Sequence, residues 1–219
     1  MELKKLLSIL PKVLIRLLVE ANEENIQKAA EIVKRGGIVI YPTDTVYGLG
    51  GDPFNLHAVH KIITIKKREN NPLPILASDI EHVKKIAYIN EFSKKMMEEF
   101  WPGPLTLILR KKEILPDLVT SGLGNVGVRI PNNQIALNLI KLSGGLLIGT
   151  SANLSKRKIS LTGNEAYKQI GKYVDIVLNG GLTTLKKEST VVRLNHNRVS
   201  ILRKGALEEE RLHKVTSLV

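Results

Sequence analysis

The sequence predicts a single α/β domain built on a mixed sheet, and three observations carry that expectation. Segments of helical and strand periodicity alternate along the chain, the pattern that layers helices on a sheet. Connections are short, with no linker and no internal repeat in 219 residues, a length that suits one large domain. The last strands follow one another without an intervening helix, which a purely parallel sheet does not allow.

Residues 1–10 read as a short helix ending before Pro11, and 13–19 as a strand. Asn22, followed by Glu23 and Glu24, opens a helix whose apolar stripe is Ile26, Ala29, Ala30 and Val33, and Gly36-Gly37 ends it. A strand at 38–41 runs into the loop PTDTVYGLGGDP, and 55–66 form a helix. Asp79 caps the next helix, 91–100 make another, and WPGP breaks the chain before a strand at 105–110. A strand at 126–130, a helix at 132–142, a strand at 146–150 and a helix at 164–170 come next. Strands at 174–178, 190–194 and 199–202 and a basic C-terminal helix complete the order.

Formal charge is 33 − 21 = +12, and 43% of residues are hydrophobic, enough for a substantial core. A positive excess favours an anionic partner: a nucleotide, a nucleic acid or an acidic surface. A Lys-rich solvated surface gives the same balance. There is no cysteine. Disulfides, thiolate catalysis and Cys-bound zinc are therefore excluded, and a reducing cytoplasm suits the chain. The longest uncharged run of the apolar start MELKKLLSILPKVLIRLLVE is 6–11, shorter than the roughly 7–15 residues of a signal-peptide core. Lys12 and Arg16 interrupt anything near the ~20 residues of a membrane span, so no membrane association is expected.

Several motifs fail on context. His57 and His60 are three apart on the helix at 55–66, but no third metal ligand stands near them. Gly122-x-Gly124-x-x-Gly127 spells a dinucleotide fingerprint, yet it leads into a strand, and no Asp or Glu occurs from Leu118 to Asn164 to hold a ribose. No GxxxxGK[ST] is present, so any ATP is bound without a P-loop. Gly149-Thr150-Ser151-Ala152-Asn153 resembles a nucleophile elbow, but Asn153 replaces the second glycine. No pair of acids points to glycosidase chemistry.

What remains is a set of cations and hydroxyls. The acid-free stretch 118–164 carries Arg129, Lys141, Lys156, Arg157 and Lys158 among many Ser, Thr and Asn. A polyanion site should exclude carboxylates, which repel phosphates at short range in a low-dielectric cleft. In IKKRENNPL, Lys66 and Arg68 leave a helix just before Asn71-Pro72. They suit a phosphate chain, and they equally suit a solvated helix C-terminus; spacing does not choose. Thr43-Asp44-Thr45 and Thr150-Ser151-Ala152-Asn153 each end a strand, where ligands of open α/β sheets sit. Glu188-Ser189-Thr190 opens a third strand and Arg203-Lys204-Gly205 leaves a fourth.

YPTDTVYGLG, KxR with NPL, WPGPLT, VRIP, SAN, EST and LRKG, in that order, closely resemble the YrdC family from about Ala21 to Leu212. The resemblance implies an open, twisted mixed sheet with flanking helices and a basic concave groove. It implies formation of threonylcarbamoyl-AMP and pyrophosphate from L-threonine, bicarbonate and ATP, with Mg²⁺ on the phosphates, in the cytoplasm. The product would pass to a tRNA threonylcarbamoyltransferase complex. Thr45, Arg129, Gly149 and Ser189 would surround L-threonine, with Arg129 on its carboxylate. Lys66, Arg68, Asn71, Asn125, Ser151, Asn153, Ser160 and Arg203 would line the ATP side, with Lys66 and Arg68 catalytic. Residues 1–20 would be an N-terminal extension carrying the first strand, 21–212 the catalytic domain and 213–219 a tail, without the extra C-terminal domain of longer synthases.

The chain departs from the family pattern in places. Glu69 stands where a proline usually follows KxR, SLT replaces SPT, and LRKG replaces LRPG. Asn125 takes the place of a Thr near the nucleotide, and Leu76 that of a His which some members set near threonine. These bear on individual contacts rather than the fold. A YrdC-like module that binds double-stranded RNA or tRNA without chemistry is the alternative. Aromatics at 4% disfavour base stacking but not recognition of RNA shape. Hydrogenase-maturation carbamoyltransferases are long and cysteine-containing and fit badly; Glu69 and the missing prolines motivate a third reading, an inactive paralogue.

Overall fold

The computed structural model describes residues 17–67, 71–195 and 198–216. The expected helix at 1–10 and the start of the strand at 13–19 lie outside these. In chain order the elements are β1 (Leu17–Glu20), α1 (Glu23–Lys34), β2 (Val39–Tyr41), β3 (Gly48–Gly50), α2 (Leu56–Lys66), β4 (Ile75–Ala77), α3 (Ile80–Ile86) and α4 (Glu91–Phe100). Then come β5 (Leu105–Arg110), the single turn α5 (Asp117–Thr120), β6 (Asn125–Arg129), α6 (Gln134–Leu142), β7 (Leu146–Ile148) and β8 (Thr150–Ser151). The chain continues with α7 (Gly163–Ile170), β9 (Ile176–Asn179), β10 (Thr190–Asn195), β11 (Arg198–Arg203) and α8 (Glu209–Thr216).

Helix starts follow capping chemistry. Asn22, Asn55, Asp79, Asn133 and Thr162 each accept a hydrogen bond from the backbone N–H three residues on, and Asn90 forms a reciprocal capping box with Ser93. Each cap contributes on the order of 1 kcal/mol. The stripe Ile26, Ala29, Ala30 and Val33 is buried as expected, packing with Ala136, Leu139 and Ile140 of α6 against Val39, Ile176 and Leu178.

The α/β class and the mixed pairing are as expected, and the strands sort into two mixed sheets, β1-β9-β2-β3-β8 and β11-β10-β5-β6-β4-β7. The single strand expected at 146–150 is divided between them. β7 pairs antiparallel with β4, β8 pairs antiparallel with β3, and Gly149 is the crossing point. Two short strands come from segments with weak signals. The Gly-Leu-Gly of β3 reads as loop, because glycine disfavours strands; here the bare Cα positions of Gly48 and Gly50 accommodate the ring of buried Tyr41. β4 is three residues between prolines and Ser78, too short for periodicity to register.

One face of the six-stranded sheet, with Leu105, Leu107, Leu109, Val126 and Val128, is buried in the main core. On its other face, alternation and register set up successive rows. Val191 lies opposite both Thr106 and Arg203, Arg193 opposite Ile108 and Ser200, and Arg110 opposite Asn125.

Candidate active site

The rows nearest the β6 C-terminus, together with the ends of β3, β7 and β8, enclose a cavity of about 230 Å³. Arg129 lies at its base, with a guanidinium fixed on three sides. Nε donates to Gly103 O at 2.8 Å, Nη1 donates to Thr45 Oγ1 at 2.8 Å, and Nη2 donates to Asp44 Oδ1. Arg129 is 5% exposed and Asp44 4%. Burial pushes the guanidinium pKa below its ordinary value, and the Asp44 carboxylate opposes that shift.

Local chemistry explains each support. Thr43 Oγ1 accepts from the backbone of Thr45 and Val46 and lies 3.0 Å from Thr45 Oγ1, a hydroxyl turn that presents Thr45 to the guanidinium. The WPGP break closes as Trp101 Nε1 donates to Leu105 O and Gly103 N donates to Ile130 O. That loop aims the Gly103 carbonyl at Arg129.

The opposite wall is the β10 entry. Ser189 Oγ lies 2.8 Å from Thr106 Oγ1, and Arg203 Nη2 donates to Ser189 Oγ at 3.1 Å and to Ser189 O at 3.0 Å. Arg203 Nη1 also reaches Glu188 Oε1 at 3.0 Å. The LRKG turn is tied down by buried Thr190, whose Oγ1 donates to Leu207 O and accepts from Gly205 N and Leu207 N. Gly205 packs so closely that an added Cβ would overlap the backbone of Ser189 and Thr190. Gly205→Ala is therefore expected to cost at least about 1–3 kcal/mol, a melting temperature roughly 2–12 °C lower. An unchanged melting curve would show that the turn relaxes without strain.

The expected residues divide into three groups. Thr45, Arg129, Gly149, Ser189, Ser151 and Arg203 line the one cavity. Lys66, Asn153 and Ser160 stand behind it, buried. Lys66 Nζ donates to Ser151 O at 2.6 Å, Asn153 O at 2.5 Å and Asn153 Oδ1 at 2.8 Å, and Ser155 Oγ holds the Lys66 carbonyl. Ser160 Oγ donates to Ala152 O at 2.8 Å. Thus Lys66 reaches the cavity through the Ser151–Asn153 loop, which it fastens. Asn71 and Asn125 are exposed; Asn71 precedes cavity-lining Pro72. Asn125 stands four residues before Arg129 on β6, roughly 13 Å away at ~3.3 Å per residue. Arg68 and Glu69 lie outside the described residues.

The expectation of a carboxylate-free pocket is corrected: Glu188 lines the cavity and Asp44 pairs with Arg129. Each acid is matched to an arginine, so neither presents a bare negative charge. The residues whose parts were missed, Asp44, Thr106 and Glu188, sit inside the motifs PTDT, WPGPLT and EST. Their spacing in sequence carries no trace of the partners they meet: Arg129 for Asp44, Ser189 for Thr106 and Arg203 for Glu188. Among the described residues no group of three or more His, Cys, Asp or Glu is placed to share a metal ion, and no helix is long and apolar enough to cross a membrane.

Residues 31–205 match the Sua5/YciO/YrdC family, described as telomere recombination. The chain belongs to that family. A family relative from Methanocaldococcus jannaschii is 38% identical over 198 residues, covering 88% of this chain and 93% of its own. The threonylcarbamoyl-AMP synthase of Pyrococcus abyssi is 37% identical over 195 residues, and this chain spans 57% of its length. The crystal structure of P. abyssi Sua5 complexed with L-threonine is similar with a TM-score of 0.86 at 37% identity, over 89% of this chain and 58% of that one. The cavity described above is thus carried on a Sua5-type domain.

Proposed function

We propose that this chain is a threonylcarbamoyl-AMP synthase, which makes threonylcarbamoyl-AMP and pyrophosphate from L-threonine, bicarbonate and ATP. One observation carries the reading: a cavity with a buried arginine fork at its base and Thr45, Thr106 and Ser189 hydroxyls around it. A fork of this kind matches a carboxylate. A relative of the same fold is crystallised with L-threonine. At about 230 Å³ the cavity falls below the ~300–1,000 Å³ of sites for drug-sized ligands. It suits a small amino acid and leaves ATP to extend over the open sheet face.

In this reading the threonine carboxylate meets Arg129, and Thr45, Gly149 and Ser189 surround the rest. Bicarbonate takes up a proton and loses water to give carbon dioxide; the amine attacks its carbon to give a carbamate and returns the proton to solvent. A carbamate oxygen then forms a bond to the α-phosphorus as the bond to the β-phosphate oxygen breaks, and pyrophosphate leaves. Arg203 and Ser151 face the phosphates, with Asn71 and Asn125 further along the nucleotide; Arg68 is assigned to the same side. Lys66, Asn153 and Ser160 set the loop that presents Ser151. ATP enters as its Mg²⁺ complex, a substrate-borne metal that neutralises phosphate charge and needs no protein cage. Alignment and charge neutralisation supply the catalysis, so no His or carboxylate pair is required. The setting is the cytoplasm, and the product would feed a tRNA threonylcarbamoyltransferase complex.

The test is pyrophosphate release. It is expected only when L-threonine, bicarbonate and ATP are all present. Release independent of threonine, or none at all beside RNA binding that weakens steeply with salt, would replace the synthase reading with that of an RNA-binding module.

A further inference from the structure

Two arginines line one cavity, and each is paired with a carboxylate in a different setting. Arg203 and Glu188 are 43% and 35% exposed at the side chain, whereas Arg129 and Asp44 are 6% and 5%. The outer pair is screened by solvent and easily exchanged for another anion. The inner pair lies in low dielectric, where charge attraction is strong and the partners stay together. Asp44 Oδ2 has no hydrogen-bond partner among the described residues, so its pairing with Arg129 is what holds this carboxylate.

We propose that Asp44, acting through Arg129, makes the inner end of the cavity selective for a monocarboxylate over phosphate anions. The inference rests on the synthase reading, in which an amino acid and a polyphosphate share one cavity. An unpaired buried guanidinium would attract the triphosphate or departing pyrophosphate as readily as threonine. With Asp44 in place the pair is neutral, and a multiply charged phosphate would approach a fixed carboxylate. Of the five guanidinium N–H donors, three are used by Gly103, Thr45 and Asp44. That leaves two, one on each terminal nitrogen, for a ligand anion, and a carboxylate offers two acceptor oxygens. Asp44 is thus a positioning and selectivity residue that touches no substrate.

Calorimetric titration of the full chain with L-threonine, repeated in the presence of acetate or of inorganic pyrophosphate, tests this. In the parent, acetate is expected to weaken threonine binding while pyrophosphate at equal concentration shifts it by less than about twofold. In Asp44→Asn, pyrophosphate is expected to weaken threonine binding by about tenfold, equivalent to ~1.4 kcal/mol. In an Arg129→Gln background, adding Asp44→Asn should change nothing in this competition, a non-additivity that a general structural role would not produce. Pyrophosphate displacing threonine from the parent as well as acetate does would overturn the proposal even if the Asn variant fails to fold. Equal pyrophosphate effects in parent and Asp44→Asn would also overturn it. A parent that does not bind threonine at all would instead bring down the synthase reading and this inference with it.

Discussion

Arg129→Ala is expected to raise the threonine requirement for pyrophosphate release about 10- to 150-fold while leaving the ATP requirement nearly unchanged. The range follows from losing a charge-assisted contact worth about 1.5–3 kcal/mol, at ~1.4 kcal/mol per tenfold. The same change strands Asp44: among the described residues its Oδ1 pairs with Arg129 and its Oδ2 has no hydrogen-bond partner. Breaking a buried pair by removing one partner costs about 3–5 kcal/mol, so the melting temperature should also fall, by roughly 6–20 °C. Kinetics measured well below that transition separate the two effects. Parallel increases in both substrate requirements would contradict the placement of the carboxylate at Arg129.

The second large effect is expected at Lys66. Lys66→Met keeps most of the side-chain volume but withdraws the ammonium from Ser151 O, Asn153 O and Asn153 Oδ1. Ser151 O keeps the Asn153 N–H, and Asn153 Oδ1 keeps the Ser151 hydroxyl. The loop therefore loosens rather than unravels, at about 1–3 kcal/mol, a melting temperature a few to about 10 °C lower. Turnover should fall strongly with both substrates, because Ser151 lines the cavity and its loop is set from behind. Thermal melting alongside pyrophosphate release checks this. A variant that matches the parent in both would remove Lys66 from any part in the site.

These two residues also mark how far sequence reasoning reaches. Arg129 stands in VRIP within an acid-free stretch, which marks it as an anion ligand, and it lies at the base of the cavity. Lys66, in KxR, reads from sequence as a helix-end cation that suits phosphate or solvent alike. Its ammonium is directed into a loop of backbone carbonyls, since the last helical turn packs under the Ser151–Asn153 segment. A lysine at a helix end looks the same in sequence whether it faces phosphate, water or a carbonyl nest. The fold shows the same division. α1, α4 and α6 carry an Asn cap and an apolar stripe and were legible. β3 and β4 are three residues each; β3 lies between adjacent β2 and distant β8, and β4 between distant β6 and β7.

By itself the sequence determined the order of helices and strands, the mixed character of the pairing, and the residue types that must meet an anion. Those properties are local or additive: periodicity, caps and charge are written residue by residue. Only the tertiary structure decided that Gly149 divides one apparent strand between two sheets, and that Asp44 faces Arg129 while Glu188 faces Arg203. Both depend on which segments distant in the chain are brought within hydrogen-bond reach. Burial then fixes the inner carboxylate–arginine pair and leaves the outer one open to exchange.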